Sequence, residues 1–561
     1  MNIIDKALNV FAPGIAAKRE QARTEVVRQQ AVRKVANSLI GGSGSNGRGY
    51  GKHGASTTKS SMMFWQTPVG DADTDIHQNV PKLRERARDL HMGSDIVAAA
   101  HKGLRTNIVG TGLRLNPAFD ASYLGLTKEQ AEKLRSSIQR EWALWAETTK
   151  CDAAGLNDFY ELQGLAFIST LMSGDVFALM PSKPRRWSVY DLKVNLIEAD
   201  RCATPPDKVN IDRERIQSGV EVDSDGMVVA YHFSNRHPGA GGYSLSGVNE
   251  WVRVEKYGKR TGRVNVLHLF EAERPGQRRG IPVIAPIIES LKQLSQYTDA
   301  ELAAAVITSM YTVFITTPAD DEGGSPFDGV GMDDEDLDGV DSVPGATGDE
   351  IKLGRGAIMR TDPGEDVKFA DPTRPNPNYE AFVRAMLKQM AAALELPYEI
   401  LTKQFTSSYS ASRGALLEAW KMYRMRRSWL AKTFCQPIYE EWFVEAVTKG
   451  RIDAPGIFDD PAIFAAYTKA EWHGPSQGLL DPTKEVQAAV MRIDNNLSTG
   501  TRETAEINGG SWEDNVQQRA YEQSRLKKLG LVQAAPAPVT LSEPSNEGDE
   551  DNDDEEGGEQ N

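Results

Sequence analysis

The sequence predicts an α+β protein of more than one domain, with long helices. Three observations carry this. At 561 residues the chain exceeds what one hydrophobic core supports, since single cores stop growing near roughly 250 to 300 residues. Between about residues 155 and 270 the apolar period alternates between helical and every-second-residue, so helices and strands mix in one unit. Beyond that unit, apolar residues recur at helical spacing over a stretch too long for an ordinary globular core.

Charge and cysteine usage narrow the class. The formal net charge is −15, and the tail from Glu543 onward, EPSNEGDEDNDDEEGGEQN, carries ten acids and no base, which leaves a nearly balanced −5 for the body. Cys151, Cys202 and Cys435 are far apart and lack CxxC spacing, which argues against a disulfide framework or a cysteine-built zinc site and for a cytosolic product. The amino terminus lacks the continuous apolar core of a signal peptide. The most apolar stretch, IPVIAPIIESLKQLSQYTDAELAAAVI, is interrupted by Glu289, Lys292, Asp299 and Glu301, so no membrane span is expected.

In chain order, KREQARTEVVRQQAVRKV followed by a Gly/Ser run reads as a basic, flexible arm over residues 1–60. PKLRERARDLHMGSDIVAAAHKGLRTNIVGTGLRLNP is helical in pattern to Asn107, and Gly110, Gly112 and Pro117 turn it into an extended segment. KEQAEKLRSSIQREWALWAE carries Leu134, Ile138, Trp142 and Trp145 on one helical face. The mixed region follows, with Asp225 and Gly226 as a hairpin signal between two alternating runs. Next, Ile284, Ile287, Ile288, Leu291 and Leu294 repeat at helical spacing after Pro282, predicting some thirty helical residues, ~45 Å long. Residues 318–350 are acidic, Gly-rich and free of Lys and Arg, which predicts an exposed excursion. After a strand-like GAIMRTDPGEDVKFA comes a helix bearing Phe382, Met386, Met390 and Leu394 that ends at Pro397, then a loop. A third long helix is predicted from near Ser412 to about Lys449, with Leu416, Trp420, Tyr423, Leu430, Phe434, Ile438 and Trp442 in register and a kink at Pro437. Two further helical segments precede the Ala/Pro-rich stretch and the acidic tail.

Chemical motifs are weak. Gly474-Pro475-Ser476-Gln477-Gly478 matches a hydrolase elbow, which needs a strand before the serine and a helix after it. The sequence EWHGPSQGLLDP suggests no strand and places a proline inside the elbow, so a serine hydrolase using Ser476 stands only as the alternative function. A phosphate loop fails because Asn46 replaces its first glycine and His53 its Ser/Thr. Asp334, Asp336, Asp338 and Gly339 imitate the first half of a calcium loop, but position twelve is Gly345. His232 and His268 lie in strand patterns and read as satisfied core histidines. No metal or cofactor is expected. Arg413, Lys421, Arg424, Arg426, Arg427 and Lys432 make the first half of the third helix basic. Two readings stand for it: a nucleic-acid surface, or a solvated or intersubunit face paired with acids.

The order of these parts, together with LRERARDL, NIVGTGLRLNP, LIEADRCATPPD, RPGQRRGIP and SYSASRGALLEAW, resembles the lambda-like portal proteins of tailed bacteriophages from about residue 60 to 530. The resemblance implies a non-enzymatic dodecameric ring at the unique capsid vertex, assembled in the bacterial host cytoplasm and retained in the virion. Double-stranded DNA would pass through it, without sequence readout, during packaging and ejection. Its partners would be the terminase large subunit, head-tail connector proteins and the major capsid or scaffold protein, with no membrane. On this analogy residues 61–280 form an α+β wing, 281–316 and 379–396 two stem helices, and 317–378 a clip containing the acidic excursion, which departs from the family pattern. Residues 397–412 form a tunnel loop, 413–532 the long basic helix and helical crown, and 533–561 a disordered acidic tail. Thr406, Ser407, Ser408 and Ser410 would be the DNA-facing tunnel-loop residues, because small hydroxyl side chains touch sugar-phosphate without reading bases. Ser410 or Ser412 would cap the third helix. Arg413, Lys421, Arg424, Arg426 and Arg427 would face DNA or a neighbouring subunit.

Overall fold

The computed structural model describes residues 69–209, 215–239, 250–310, 314–316, 366–368, 378–405, 408–476, 482–508 and 512–531, with a few single positions elsewhere. The amino-terminal arm, the near-miss phosphate loop, the 318–350 excursion with its calcium-like half-loop, and the acidic tail lie outside the described residues. The chain forms two units, Met1–Asp71 and Ala72–Asn561. Only the second is described below.

It opens with α1 (Ala72–His77), α2 (Val80–Gly93) and α3 (Asp95–Ile108). Ser94 separates α2 from α3, and its hydroxyl accepts from Val97 N at the start of α3. Strand β1 (Arg114–Pro117) leads to α4 (Lys128–Ala146), which starts with a capping box in which Thr127 and Gln130 satisfy each other's backbone N–H groups. Leu134, Ile138, Trp142 and Trp145 of α4 are all buried, as their spacing predicts. Helix α5 (Phe159–Ser173) has a second capping box, Asp158 with Glu161, and is apolar on nearly every side, which suits a helix at the centre of the core.

The strands follow: β2 (Asp175–Leu179), β3 (Asn195–Glu198), β4 (Ile216–Gln217), β5 (Val220–Val222), β6 (Val228–Ser234), β7 (Trp251–Glu255) and β8 (Val266–Phe270). They make two antiparallel sheets, ordered β3-β2-β8 and β4-β5-β6-β7. The predicted hairpin turn lies between β5 and β6, with Gly226 at φ 82°, a conformation that favours glycine.

The remaining elements are α6 (Ile288–Met310), β9 (Phe314–Thr316), β10 (Asp366–Lys368), α7 (Tyr379–Ala393), α8 (Tyr398–Thr402), α9 (Tyr409–Leu430), α10 (Gln436–Thr448), α11 (Pro461–Thr468), β11 (Ala470–His473), α12 (Pro482–Asp494), α13 (Gly500–Asn508) and α14 (Trp512–Lys528). Helix α6 has 23 residues, about 35 Å, because its predicted start is a separate 3-10 turn, Ala285–Ile287. The long carboxy-proximal helix divides at a π-helical turn, Ala431–Cys435. Pro437 lies one residue into α10, so it has no N–H to donate back to Thr433 and would crowd that carbonyl, and the wider turn relieves both problems.

One core holds α3, α4, α5, α7, α9 and α10 together. At its centre the Trp142 ring meets Trp442, Phe159 and Tyr439 edge-on at centroid distances of 5.0, 5.1 and 5.5 Å.

Candidate functional site

The segment expected as a loop over 397–412 is largely helical. It contains α8, and α9 begins at Tyr409, which leaves residues 403–408 between the two. Lys403 ends α8 in the left-handed region, at φ 56°. Thr406 and Ser407 lie outside the described residues. Ser408, rather than Ser410 or Ser412, is the cap: its hydroxyl accepts from Ala411 N at 3.4 Å. Ser410 is already helical and exposed.

The basic residues of α9 divide by helical angle. At 100° per residue, Ser410, Arg413, Leu417, Lys421, Arg424 and Ser428 fall within a narrow arc, and all six are exposed. Arg426 points the other way. It is buried and its guanidinium lies 3.8 Å from the Glu395 carboxylate. Arg427, at the boundary, donates from Nε to the Ile108 carbonyl and from Nη2 to the Asn107 carbonyl, each at 3.1 Å, and its guanidinium lies 5.1 Å from the centre of the Trp420 ring. Burial, with Arg424 nearby, lowers its pKa to about 10. On the exposed face, Lys421 pairs with Glu418 at 2.6 Å and Arg424 approaches Glu506 at 3.9 Å.

Arg427 also explains the glycines that precede Ser476. Contrary to the sequence reading, a strand does come before this serine: β11 pairs with β1 in register Arg114 to His473 through Pro117 to Ala470. The turn after β11 packs tightly. A Cβ on Gly474 would lie 2.6 Å from Arg427 Nε and 2.7 Å from Leu113 Cδ2. Gly110, at φ 57°, leaves room for Pro475, and Gly112, at φ 101°, for Tyr160. Gly112→Ala combines a disfavoured backbone angle with a methyl 2.4 Å from Tyr160 Cβ. It is expected to cost about 2–4 kcal/mol, read as a lower melting temperature than Gly125→Ala, whose Cβ meets nothing within 4 Å.

A second cluster went unanticipated. Asp175, at the start of β2, is fully enclosed and accepts from Arg84 Nη2 at 2.7 Å, Arg279 Nε at 2.5 Å, His268 Nε2 at 3.1 Å and Gly280 N at 3.3 Å. Arg279 also donates to the carbonyls of Ala199, Cys202 and Ser218, and Arg84 Nε to the Ser173 carbonyl. Arg88 pairs with Asp200 and donates to Ser173 Oγ. Burial pushes the Asp175 carboxyl up, but Arg279 and Arg84 override it and hold it well below the usual carboxylate range. Burial brings Arg84 down to about 10 against the pull of Asp175, and lowers His268 despite its bond to the same carboxylate. The backbones meet beside this cluster: a Cβ on Gly280 would lie 2.0 Å from the Gly174 carbonyl oxygen. LRERARDL, LIEADRCATPPD and RPGQRRGIP therefore converge on one buried carboxylate, while NIVGTGLRLNP supplies the carbonyls that hold Arg427. The signal available in the sequence was an aspartate inside the apolar run GDVFALM, where an unpaired charge would be untenable.

Among the described residues, no group of three or more His, Cys, Asp or Glu is placed to hold a metal ion, and no helix is long and apolar enough to cross a membrane. Cys151, Cys202 and Cys435 are buried free thiols, and burial raises the pKa of the first two to about 12.

The family model for the lambda family of phage portal proteins matches residues 58–427. The chain belongs to that family. This portal protein is 23% identical over 484 residues to portal protein B of Escherichia phage lambda, covering 84% of this chain and 88% of the other. It is 24% identical over 484 residues to the portal protein of Escherichia phage N15, covering 84% and 89%, and 25% identical over 469 residues to the probable portal protein of Halomonas phage phiHAP-1, covering 82% and 84%. Among solved structures, a chain of the virion of the native gene transfer agent particle aligns at a TM-score of 0.40 and 12% identity, over 76% of this portal protein and 92% of that chain.

Proposed function

We propose that this portal protein closes into a dodecameric ring at one capsid vertex, passes double-stranded DNA through its bore, and docks the terminase large subunit and head-tail connector proteins. The observation that carries the DNA part is the exposed face of α9. Ser410, Arg413, Lys421 and Arg424 present hydroxyls and cations to solvent, while Arg426 and Arg427 are engaged inside the chain. A few cations beside small hydroxyl residues favour contact with phosphates without base readout. A denser array would bind a duplex too tightly to let it move, because each phosphate neutralised adds a salt-dependent increment to affinity. The ring part is supported by exposed apolar side chains on long helices: Leu302 and Val306 on α6, Phe382 on α7, and Val486, Val490 and Ile493 on α12. Such faces are suited to a neighbouring copy in a head-to-tail closed ring.

The test is the triple variant Arg413→Ala, Lys421→Ala, Arg424→Ala. Rings of normal mass are expected by native mass spectrometry, with duplex affinity at low salt reduced roughly tenfold and a shallower salt dependence. Failure of rings to form would assign this face to the subunit interface. Normal rings with unchanged DNA binding and packaging would remove these residues from DNA transit.

A further inference from the structure

A depression of about 600 Å³ lies between α9, the π-helical turn, α10, α11 and β11, lined by Arg424, Arg427, Lys432 and Lys469 against two acids, Glu440 and Glu471. Ala431, Ala465 and Trp472 add apolar surface to its lining. Burial raises the pKa of Glu440, against the opposite pull of Gln436 Nε2, which donates to it at 2.9 Å. Among the described residues, neither Lys432 nor Lys469 has a carboxylate within 4 Å, although Asp120 feels Lys469 at longer range. The groove's four cations therefore outnumber its two lining acids, and two of them, Lys432 and Lys469, form no ion pair among the described residues, while Arg424 has Glu506 3.9 Å away.

The same chain carries an excess of the opposite sign. Residues 543–561 hold ten acids and no base, and eleven residues separate them from Leu531, where the described chain stops. That connection reaches up to ~40 Å when extended, and tethering of this kind gives an effective concentration on the order of millimolar. We propose that this groove is the docking site of the acidic carboxy-terminal segment, residues 543–561. The carboxylates of the segment sit against Lys432, Lys469 and Arg424, and its glycines let the backbone lie close to the apolar lining residues. A segment seated there lies beside the exposed face of α9 and shields Arg424 from other polyanions.

Zero-length carbodiimide coupling of the full-length protein without DNA, followed by peptide mass mapping, tests this directly, because it joins only amines and carboxylates already in contact. Lys432 and Lys469 are expected to couple to acids between Glu543 and Glu559 at several times the yield of Lys128 and Lys133, which are exposed on α4. That excess is expected to vanish in 1 M salt, where the screening length falls to roughly 3 Å. In the Lys432→Glu, Lys469→Glu variant, whose substitutions lie on the surface, a dye attached through Gln560→Cys is expected to tumble freely, with lower anisotropy than in the parent. Even coupling of the tail across all exposed lysines would overturn the proposal. So would coupling of Lys432 and Lys469 chiefly to acids of a partner outside this segment, or an anisotropy unchanged by the charge reversal. None of these readouts depends on ring closure or DNA transit.

Discussion

Asp175→Ala is expected to destabilise the portal fold by about 3–5 kcal/mol, the usual penalty for removing one partner of a buried ion pair. Arg84 and Arg279 have side chains only 5% exposed, and both lose the carboxylate that compensates their burial. Arg279 keeps three backbone carbonyls as acceptors, so it stays solvated in part, whereas Arg84 keeps the Ser173 carbonyl and a distant Asp200. The midpoint of urea unfolding, followed by tryptophan fluorescence, should fall by about 1–2 M. Asp175→Asn keeps an acceptor and the shape but not the charge, and should fall between the two. The charge itself is necessary only if acid reproduces the loss. The carboxyl titrates below its unfolded value, so its contribution is complete above the ordinary carboxylate pKa near ~3.9. It disappears as pH falls through the still lower folded value. A wild-type chain and Asp175→Asn that differ equally at pH 7 and pH 2.5 would show that packing, and not charge, holds this cluster.

What the sequence revealed, and what it hid, follows from how far each signal extends along the chain. Trp142 and Trp145 were legible because a nineteen-residue amphipathic helix repeats its pattern several times. Gly226 was legible because a positive φ at a hairpin admits few other residues. Strand β11 has only four residues, AEWH, too few for any period, and only its pairing with β1 makes it a strand. The basic stretch of α9 misled for a different reason. Counting cations along the sequence groups Arg424 with Arg426 and Arg427, whereas their helical angles send one to solvent, one into the core and one to the boundary. Asp175, Arg84 and Arg279 lie in three distant segments, and single-sequence reasoning has no way to bring a carboxylate to arginines that are 91 and 104 positions away.

The largest pH effect near neutrality is expected from α2 and α3, where His91 and His101 stack at a centroid distance of 5.1 Å with their Nδ1 atoms 3.0 Å apart. That contact requires one ring to donate and the other to accept, so it tolerates at most one proton beyond the neutral pair. His101 is fully buried, its Nε2 has no partner among the described residues, and burial together with His91 lowers its pKa to about 4. The unfolded chain, with a histidine near ~6.5, takes up the proton first. The contribution of a neutral His101 is therefore complete above pH ~6.5 and is lost as pH falls from there towards 4. By pH 4.5 the loss should reach roughly 2–3 kcal/mol. His101→Phe keeps a ring against His91 but has nothing to protonate. Its stability should be close to that of the wild type at pH 7 and exceed it by that amount at pH 4.5, measured as urea midpoints at the two pH values. His232, His268 and His473 are also lowered by burial, so both chains should weaken in acid, and the decisive quantity is the gap between them. Parallel pH profiles would mean that His101 takes up its proton over the same pH range in the folded chain as in the unfolded one, whereas a poor fit of Phe in the core would lower the variant equally at both pH values and leave the change in the gap intact.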